Sequence, residues 1–249
     1  MKKNPGTSEK IFMLQNDDHY YGEYGQMFLS NSDIDALLNC PDDFHRPSEE
    51  TIEFKFGKAF HELVMFGESD HIEKIVDAST RTTKIYKEAV EEAGELLLLQ
   101  KEYDQLMYIV EKAYNNAEVN ELVLGKDVSY EVANVGSIFS DEVEWKGKAD
   151  IINGDYIIDL KTTSNLKAFS RSVKAYNYDS QAYIYSTLWK KKMKFIAIDK
   201  TTGVAGIFDV SNFTLDDGML KAQAAEENFI KYFLRQEEKI QNHTIYGTV

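Results

Sequence analysis

Hydrophobic positions along the chain follow two periods, and the change from one to the other divides it. Ser32-Asp33-Ile34-Asp35 reads as an N-cap opening a short helix through Leu38, stopped by Pro41. Phe56, Phe60, Leu63 and Val64 recur at helical spacing and predict a helix over about 51–66. Residues 83–121 carry one long helical periodicity (Ile85, Ala89, Ala93, Leu96, Leu99, Tyr103, Leu106, Ile109, Val110, Ala113), which takes in the apolar run 96–99. Beyond Gly125 the period shortens to two, with Val128, Tyr130 and Val132 alternating as in a strand. Segments 149–152 and 156–160 flank Asn153-Gly154, the strongest short-range hairpin signal. A helix over about 180–191 follows, then strands over 195–198 and 205–210 around a turn at Thr202-Gly203, then a helix over about 215–236. The expected class is α/β (α+β), a central mixed β-sheet flanked by helices. With no repeat or linker, one domain over 1–249 is expected, with an N-terminal helical arm (about 1–50) and a helical segment (about 83–121).

Composition narrows the class. Hydrophobic residues make up 43 % and aromatics 12 %, enough for a core. A single cysteine, Cys40, excludes a disulfide framework, a Cys-based zinc site and a four-cysteine iron–sulfur cluster. No apolar run approaches the roughly 20 residues of a membrane span, and the basic start at residues 1–5 has no apolar stretch after it. A soluble, cytoplasmic protein with no membrane partner is expected. The net charge of −14 is unevenly spread: residues 161–200 hold 9 basic and 2 acidic residues, while the rest of the chain is acidic. A local basic block is where a polyanion binds, although a solvated lysine-rich helix end explains Lys190-Lys191-Lys192 equally well.

The hairpin carries the chemistry. With Asn153-Gly154 as a two-residue type I′ loop, Asp150 lies opposite Ile157, and the period of two puts Asp150, Asp159 and Lys161 on one face. Asp150 and Asp159 are then diagonal neighbours roughly 7–8 Å apart, close enough to share a divalent cation with bonds of about 2.1 Å. Lys161 on that face can orient a water or stabilise phosphoryl charge. Glu131, on the preceding strand, is the candidate third carboxylate, with Glu142 and Glu144 as rivals. His61, four residues after Gly57, is a candidate ligand or a structural histidine; Gly57 is expected to admit another segment against that helix face. Gln181 and Tyr185, at i and i+4, share a helix face and are candidate substrate contacts, though packing also explains Tyr185. The first thirty residues, rich in Tyr, Asp and Gly, carry no pattern tied to chemistry.

Taken together these motifs are similar to those of the PD-(D/E)xK nuclease superfamily, in its RecB-like branch, and resemble most the nuclease domain of RecE-type phage exodeoxyribonucleases. Gly57-Lys58-Ala59-Phe60-His61 resembles the G-x-A-x-H helix motif and Gly147-Lys148-Ala149-Asp150 the first acidic motif. Asp159-Leu160-Lys161-Thr162-Thr163 resembles D-[LV]-K-T-[TS], and the helix with Gln181 and Tyr185 resembles Q-x-x-x-Y. Alanine precedes Asp150 where the name has proline, and the second acid is aspartate. The resemblance implies Mg²⁺-dependent hydrolysis of double-stranded DNA from free ends, 5′ to 3′, in phage-type recombination or replication, with Mn²⁺ able to substitute. It implies that His61, Glu131, Asp150, Asp159 and the Leu160 carbonyl hold metal, that Lys161 positions water, and that Gln181 and Tyr185 grip substrate or order the site. A ring-shaped homo-oligomer and a single-strand annealing partner belong to the same picture. The alternatives are an endonuclease and an inactive DNA-binding or scaffold protein on this fold. RecB-like CRISPR-associated nucleases usually carry four cysteines, and this chain has one.

Overall fold

A computed structural model describes residues 6–47 and 49–245; the basic start at residues 1–5 lies outside the described residues. Two short helices, α1 (Thr7–Leu14) and α2 (Asp17–Tyr21), form the arm, and α3 (Ile34–Asn39) follows. The capping serine is Ser30 rather than Ser32: it caps the 3-10 turn Asn31–Asp33 that leads into α3, its N–H and hydroxyl both donating to Asp33 Oδ2, at 2.7 and 2.8 Å. Helix α4 (Ile52–Phe66) starts where Thr51 Oγ1 accepts the Phe54 N–H (3.2 Å).

The continuous helix expected over 83–121 is not formed. Three helices stand there, α5 (Lys84–Ala93), α6 (Gln100–Asn115) and α7 (Ala117–Leu124), and strand β2 (Leu98–Leu99) pairs parallel with β1 (Ile75–Val76) between the first two. Burial decides this. Leu97, Leu98 and Leu99 are all in the core, whereas a helix turning about 100° per residue carries part of such a run toward solvent. Each buried leucine contributes roughly 1.5–3 kcal/mol, more than the helical bonds forgone. Asn116 then separates α6 from α7, its Oδ1 accepting the Glu118 and Val119 N–H groups, both at 3.1 Å.

The main sheet has the order β3-β4-β5-β6-β7 and comprises β3 (Val128–Ser137), β4 (Glu144–Asn153), β5 (Tyr156–Thr163), β6 (Lys192–Asp199) and β7 (Ala205–Asp209). Only β5 and β6 run parallel, and their crossover holds α8 (Phe169–Ala175) and α9 (Tyr178–Trp189). Helix α10 (Asn212–Phe229) follows β7 and continues into one π turn (Ile230–Leu234). Helices cover both faces. Phe60 and Leu63 of α4 and Ile109 of α6 pack on Ile151, Ile158 and Leu160; Ala182 and Ile184 of α9 and Ala222 of α10 pack on Ile157, Phe195 and Ala197. The expected mixed sheet between helical layers is what the chain forms.

The β4–β5 turn sits one residue later than expected. Asn153 pairs with Tyr156, so the loop is Gly154-Asp155. Asn153 Nδ2 donates to the Leu122 carbonyl (2.9 Å), holding that residue in the strand. Within the loop only Gly154 takes a positive φ, +55°, whereas a type I′ turn needs two such residues. This register brings Asp150 opposite Asp159 instead of Ile157.

Candidate active site

Strands β4 and β5 stay paired only from the turn to Ile151 and Ile158. Where the next pair would form, the strands part, and the Leu160 N–H donates to the Asp150 carboxylate (Oδ2, 2.9 Å) instead of to a backbone carbonyl. His61 Nδ1, reaching in from α4, lies 3.3 Å from the same oxygen. Asp150 therefore fills the gap in the sheet's own plane. Alternation along β4 breaks at this point, since Ile151 belongs to the α4-side core and Ala149 to the α9-side core. The expectation that Asp150, Asp159 and Lys161 line one face is thus corrected: Asp159 and Lys161 keep to the α9 side, and Asp150 occupies the cleft beside them.

Asp159 is 1 % exposed. Its Oδ1 accepts from Gln181 Nε2 (2.6 Å), and its Oδ2 faces Lys161 Nζ at 2.5 Å without a directed hydrogen bond. Burial raises the Asp159 pKa against the pull of Lys161, and the charge of Asp150 adds to the rise. Burial depresses Lys161, but Asp159 and Asp150 outweigh it and hold the ammonium protonated. The Tyr178 ring, 4.6 Å from Nζ, backs that ammonium. Tyr178 opens the very helix whose Gln181 the sequence singles out, yet nothing in its spacing set it apart. The Tyr185 hydroxyl is buried and donates to the Lys148 carbonyl (3.1 Å). Gly147 explains itself here: a Cβ would stand 2.7 Å from Tyr185 Cε1 and 3.1 Å from the Trp189 ring. That glycine lets α9 press onto β4 beside Asp150.

Of the three candidate glutamates, Glu142 pairs with Arg235 and Glu144 with Lys10 (2.6 Å). Glu131 is the one beside Asp150, lying between the pairs Tyr130–Ile151 and Val132–Ala149. Its φ is +50°, a left-handed conformation inside a strand that is unfavourable by about 1–3 kcal/mol for a residue with a Cβ. Desolvation and the Asp150 charge push its pKa up to about 7. The arm, silent in sequence, reaches this corner. Asp17 pairs with Lys148, and Lys146 and Lys148 lie over the Tyr20 ring at 4.3 and 4.7 Å. Gly57 faces open space: a Cβ added there would have nothing within 4 Å, so the segment expected against it is not found among the described residues.

These donors fit a hard divalent cation in kind: carboxylates with one imidazole and a backbone carbonyl. They also fit in charge, because Asp150 raises both neighbouring carboxyls and Asp159 Oδ2 is buried without a directed donor. Among the described residues, no three His, Cys, Asp or Glu side chains are already drawn around one point. Asp159 is turned to Lys161 instead. The basic block places Lys167, Arg171 and Lys174 on exposed positions of the crossover, Lys174 paired with Asp217 (2.6 Å), with Tyr176 66 % exposed and its ring 5.8 Å from that of Tyr178. Among the described residues no helix is long and apolar enough to cross a membrane.

No curated protein matches significantly. Among solved structures, a protein of Eubacterium rectale provisionally named an exonuclease superposes with a TM-score of 0.61 at 12 % identity, over 94 % of this chain and 95 % of its own. A phage-related exonuclease of Haemophilus somnus matches far more loosely, with a TM-score of 0.32 at 14 % identity, over 72 % of this chain and 94 % of its own. The likeness to the first is one of fold. A family profile matches residues 30–241, and the chain accordingly belongs to the family described as a PDDEXK-like domain of unknown function (DUF3799).

Proposed function

We propose that the chain is a divalent-metal-dependent deoxyribonuclease that degrades double-stranded DNA from free ends, 5′ to 3′, with residues 1–249 forming one nuclease domain. The observation that carries the reading is the parted β4–β5 cleft. It sets Asp150 with His61 against Asp159 with Lys161, bringing two acids, an imidazole and an ammonium together, and this juxtaposition supports the reading.

In this reading His61, Glu131, Asp150, Asp159 and the Leu160 carbonyl hold Mg²⁺, with Mn²⁺ able to replace it. The metal, when bound, lowers the pKa of water and neutralises scissile-phosphate charge. Lys161, kept protonated by two carboxylates and backed by Tyr178, orients the attacking water and donates to a phosphoryl oxygen. Gln181 fixes the Asp159 rotamer through its 2.6 Å bond, and Tyr185 fixes the β4 backbone at Lys148. Both side chains are committed inside the site, so they act by ordering it. Substrate is gripped by the exposed Lys167 and Arg171, whose charge suits a phosphate backbone. A ring-shaped assembly, an annealing partner in phage-type recombination and a cytoplasmic setting complete the proposal and rest on the family resemblance.

The test incubates linear and covalently closed circular duplex DNA with the protein in Mg²⁺ or EDTA. Loss of the linear form alone, abolished by EDTA, is expected. Loss of both forms makes the protein an endonuclease, and loss of neither removes the catalytic reading. Label at the 5′ or the 3′ terminus reads the polarity.

A further inference from the structure

The family match begins at residue 30, yet residues ahead of it hold the most strained backbone of the site in place. Strand β3 lies at the edge of the main sheet, so Glu131 has a strand neighbour on one side only. On the other side stands Gln15, just past α1. Its Nε2 donates to the Glu131 carbonyl (2.5 Å), and its Oε1 accepts the Ala133 N–H (3.0 Å). One carboxamide thus supplies the donor and the acceptor of an absent strand, bracketing residues 131–133. Gln15 itself is fixed, its N–H bonded to the Ile11 carbonyl (2.9 Å). The arm is moored to β4 just beyond it, where Asp17 takes Lys148 and the Tyr20 carbonyl takes Lys146.

We propose that Gln15 is a positioning residue: by holding the Glu131 carbonyl and the Ala133 N–H, the two peptide groups on either side of Val132, it fixes the backbone where it leaves Glu131 and so keeps that residue left-handed with its carboxylate beside Asp150. The N-terminal arm is thereby a working part of the cation site. This rests on the reading of Glu131 as a metal ligand given above. A mere cover for the sheet edge needs less. Leu14 already packs on Ala133 and Val135, and apolar cover does not call for a pair of hydrogen bonds that begins at the carbonyl of the left-handed residue.

The experiment uses the full chain, freed of metal and titrated calorimetrically with Mn²⁺, in wild type, Gln15→Met, Gln15→Glu, Glu131→Gln and the Gln15→Met/Glu131→Gln double variant. Gln15 is exposed, so the methionine, equal in length but without donor or acceptor, leaves the core intact. Mn²⁺ affinity is expected to fall about 10- to 100-fold in Gln15→Met, the range for groups that orient a ligand. Gln15→Glu, which still accepts from Ala133 but cannot donate to Glu131, is expected to fall between, and to decide the matter if the methionine variant folds poorly. The double variant is expected to be no weaker than Glu131→Gln alone, and kcat to fall while KM for DNA holds. Wild-type Mn²⁺ affinity in Gln15→Met beside a weakened Glu131→Gln overturns this inference and leaves the proposed function standing. A lowered Tm with unchanged Mn²⁺ affinity reduces the arm to an edge cover and overturns it equally. Wild-type affinity in Glu131→Gln itself strikes the reading underneath.

Discussion

Glu226 and Asp159 are both carboxylates with almost no solvent exposure, and they are compensated in opposite ways. Glu226, on α10, accepts one directed hydrogen bond on each oxygen, from Ser140 Oγ and Trp145 Nε1, both at 2.6 Å. Neutral donors satisfy it completely, and an incoming ion has nothing to add. Asp159 has one such bond, from Gln181, and on its other oxygen only an ammonium that is itself drawn to Asp150. Asp179 stands between them. One of its oxygens takes Lys221 (2.9 Å), and the other has no directed donor. Burial of an acid therefore says little by itself. What separates a structural carboxylate from a reactive one is whether its compensation is complete or can be exchanged.

The contrast breaks most visibly on substitution. Asp159→Asn is expected to lower DNA cleavage by at least about 10²-fold with a near-normal Tm, and Glu226→Gln to leave cleavage within a few-fold. The latter is expected to remove no more than about 1 kcal/mol of stability, because the amide oxygen still accepts from Trp145 Nε1 and its N–H₂ donates to the Ser140 hydroxyl, which turns to accept; urea unfolding beside a linear-duplex assay reads both. Equal loss of cleavage in the two variants would erase the distinction. Next in size, Lys161→Met is expected to lower kcat by on the order of 10²-fold with little change in KM, since in the proposed reaction the ammonium acts on the reacting phosphate rather than on binding. Steady-state kinetics on end-labelled duplex checks this.

A third expectation sharpens the account of the charged cleft through pH. Folding lifts the Glu131 carboxyl from the ordinary 4.5 to about 7, so within that window the folded protein binds the extra proton. Stability on this residue's account is intact below the window, falls as pH rises through it, and stays reduced above about 7. Metal-free Glu131→Gln should then melt higher than wild type at pH 8 and equal to it near pH 4. Excess Mn²⁺ should reverse the order at pH 8, and differential scanning calorimetry reads all three arms. The smallest effect concerns the rim: Lys167→Ala and Arg171→Ala are each expected to weaken duplex binding a few-fold and to reduce the salt slope by about 0.9. A salt titration of DNA binding in EDTA isolates that term.

Much of this was legible in the chain, and the lapses have physical causes. Periodicity located α4, β3, the β4–β5 hairpin, α9 and β6, because each buries one side against the opposite layer. It failed at 96–99, where three successive leucines are buried together and no single period describes them. The hairpin turn slipped by one residue because Asn153 bonds to the end of α7, a tertiary contact that local turn preference cannot register. That slip moved the pairing by an even step, which left the parity of Asp150, Asp159 and Lys161 unchanged. The one-face expectation failed for a different reason: alternation presumes a continuous ladder, and the ladder ends at the site. Glu131 could be named beside its rivals but not separated from them, since Arg235 and Lys10 claim the others from distant segments. The arm gave no signal because its part is played by one polar side chain against backbone, a contact with no period.

The three rungs that join β4 to β5 have a mechanical consequence. Beyond them each strand is laced to a different companion, β4 to β3 and β5 to β6. The two halves work like the arms of tweezers hinged at Gly154-Asp155, with Asp150 on one jaw and Asp159 on the other. What spans the mouth is the Asp150 carboxylate itself, which takes the Leu160 N–H from the opposite jaw.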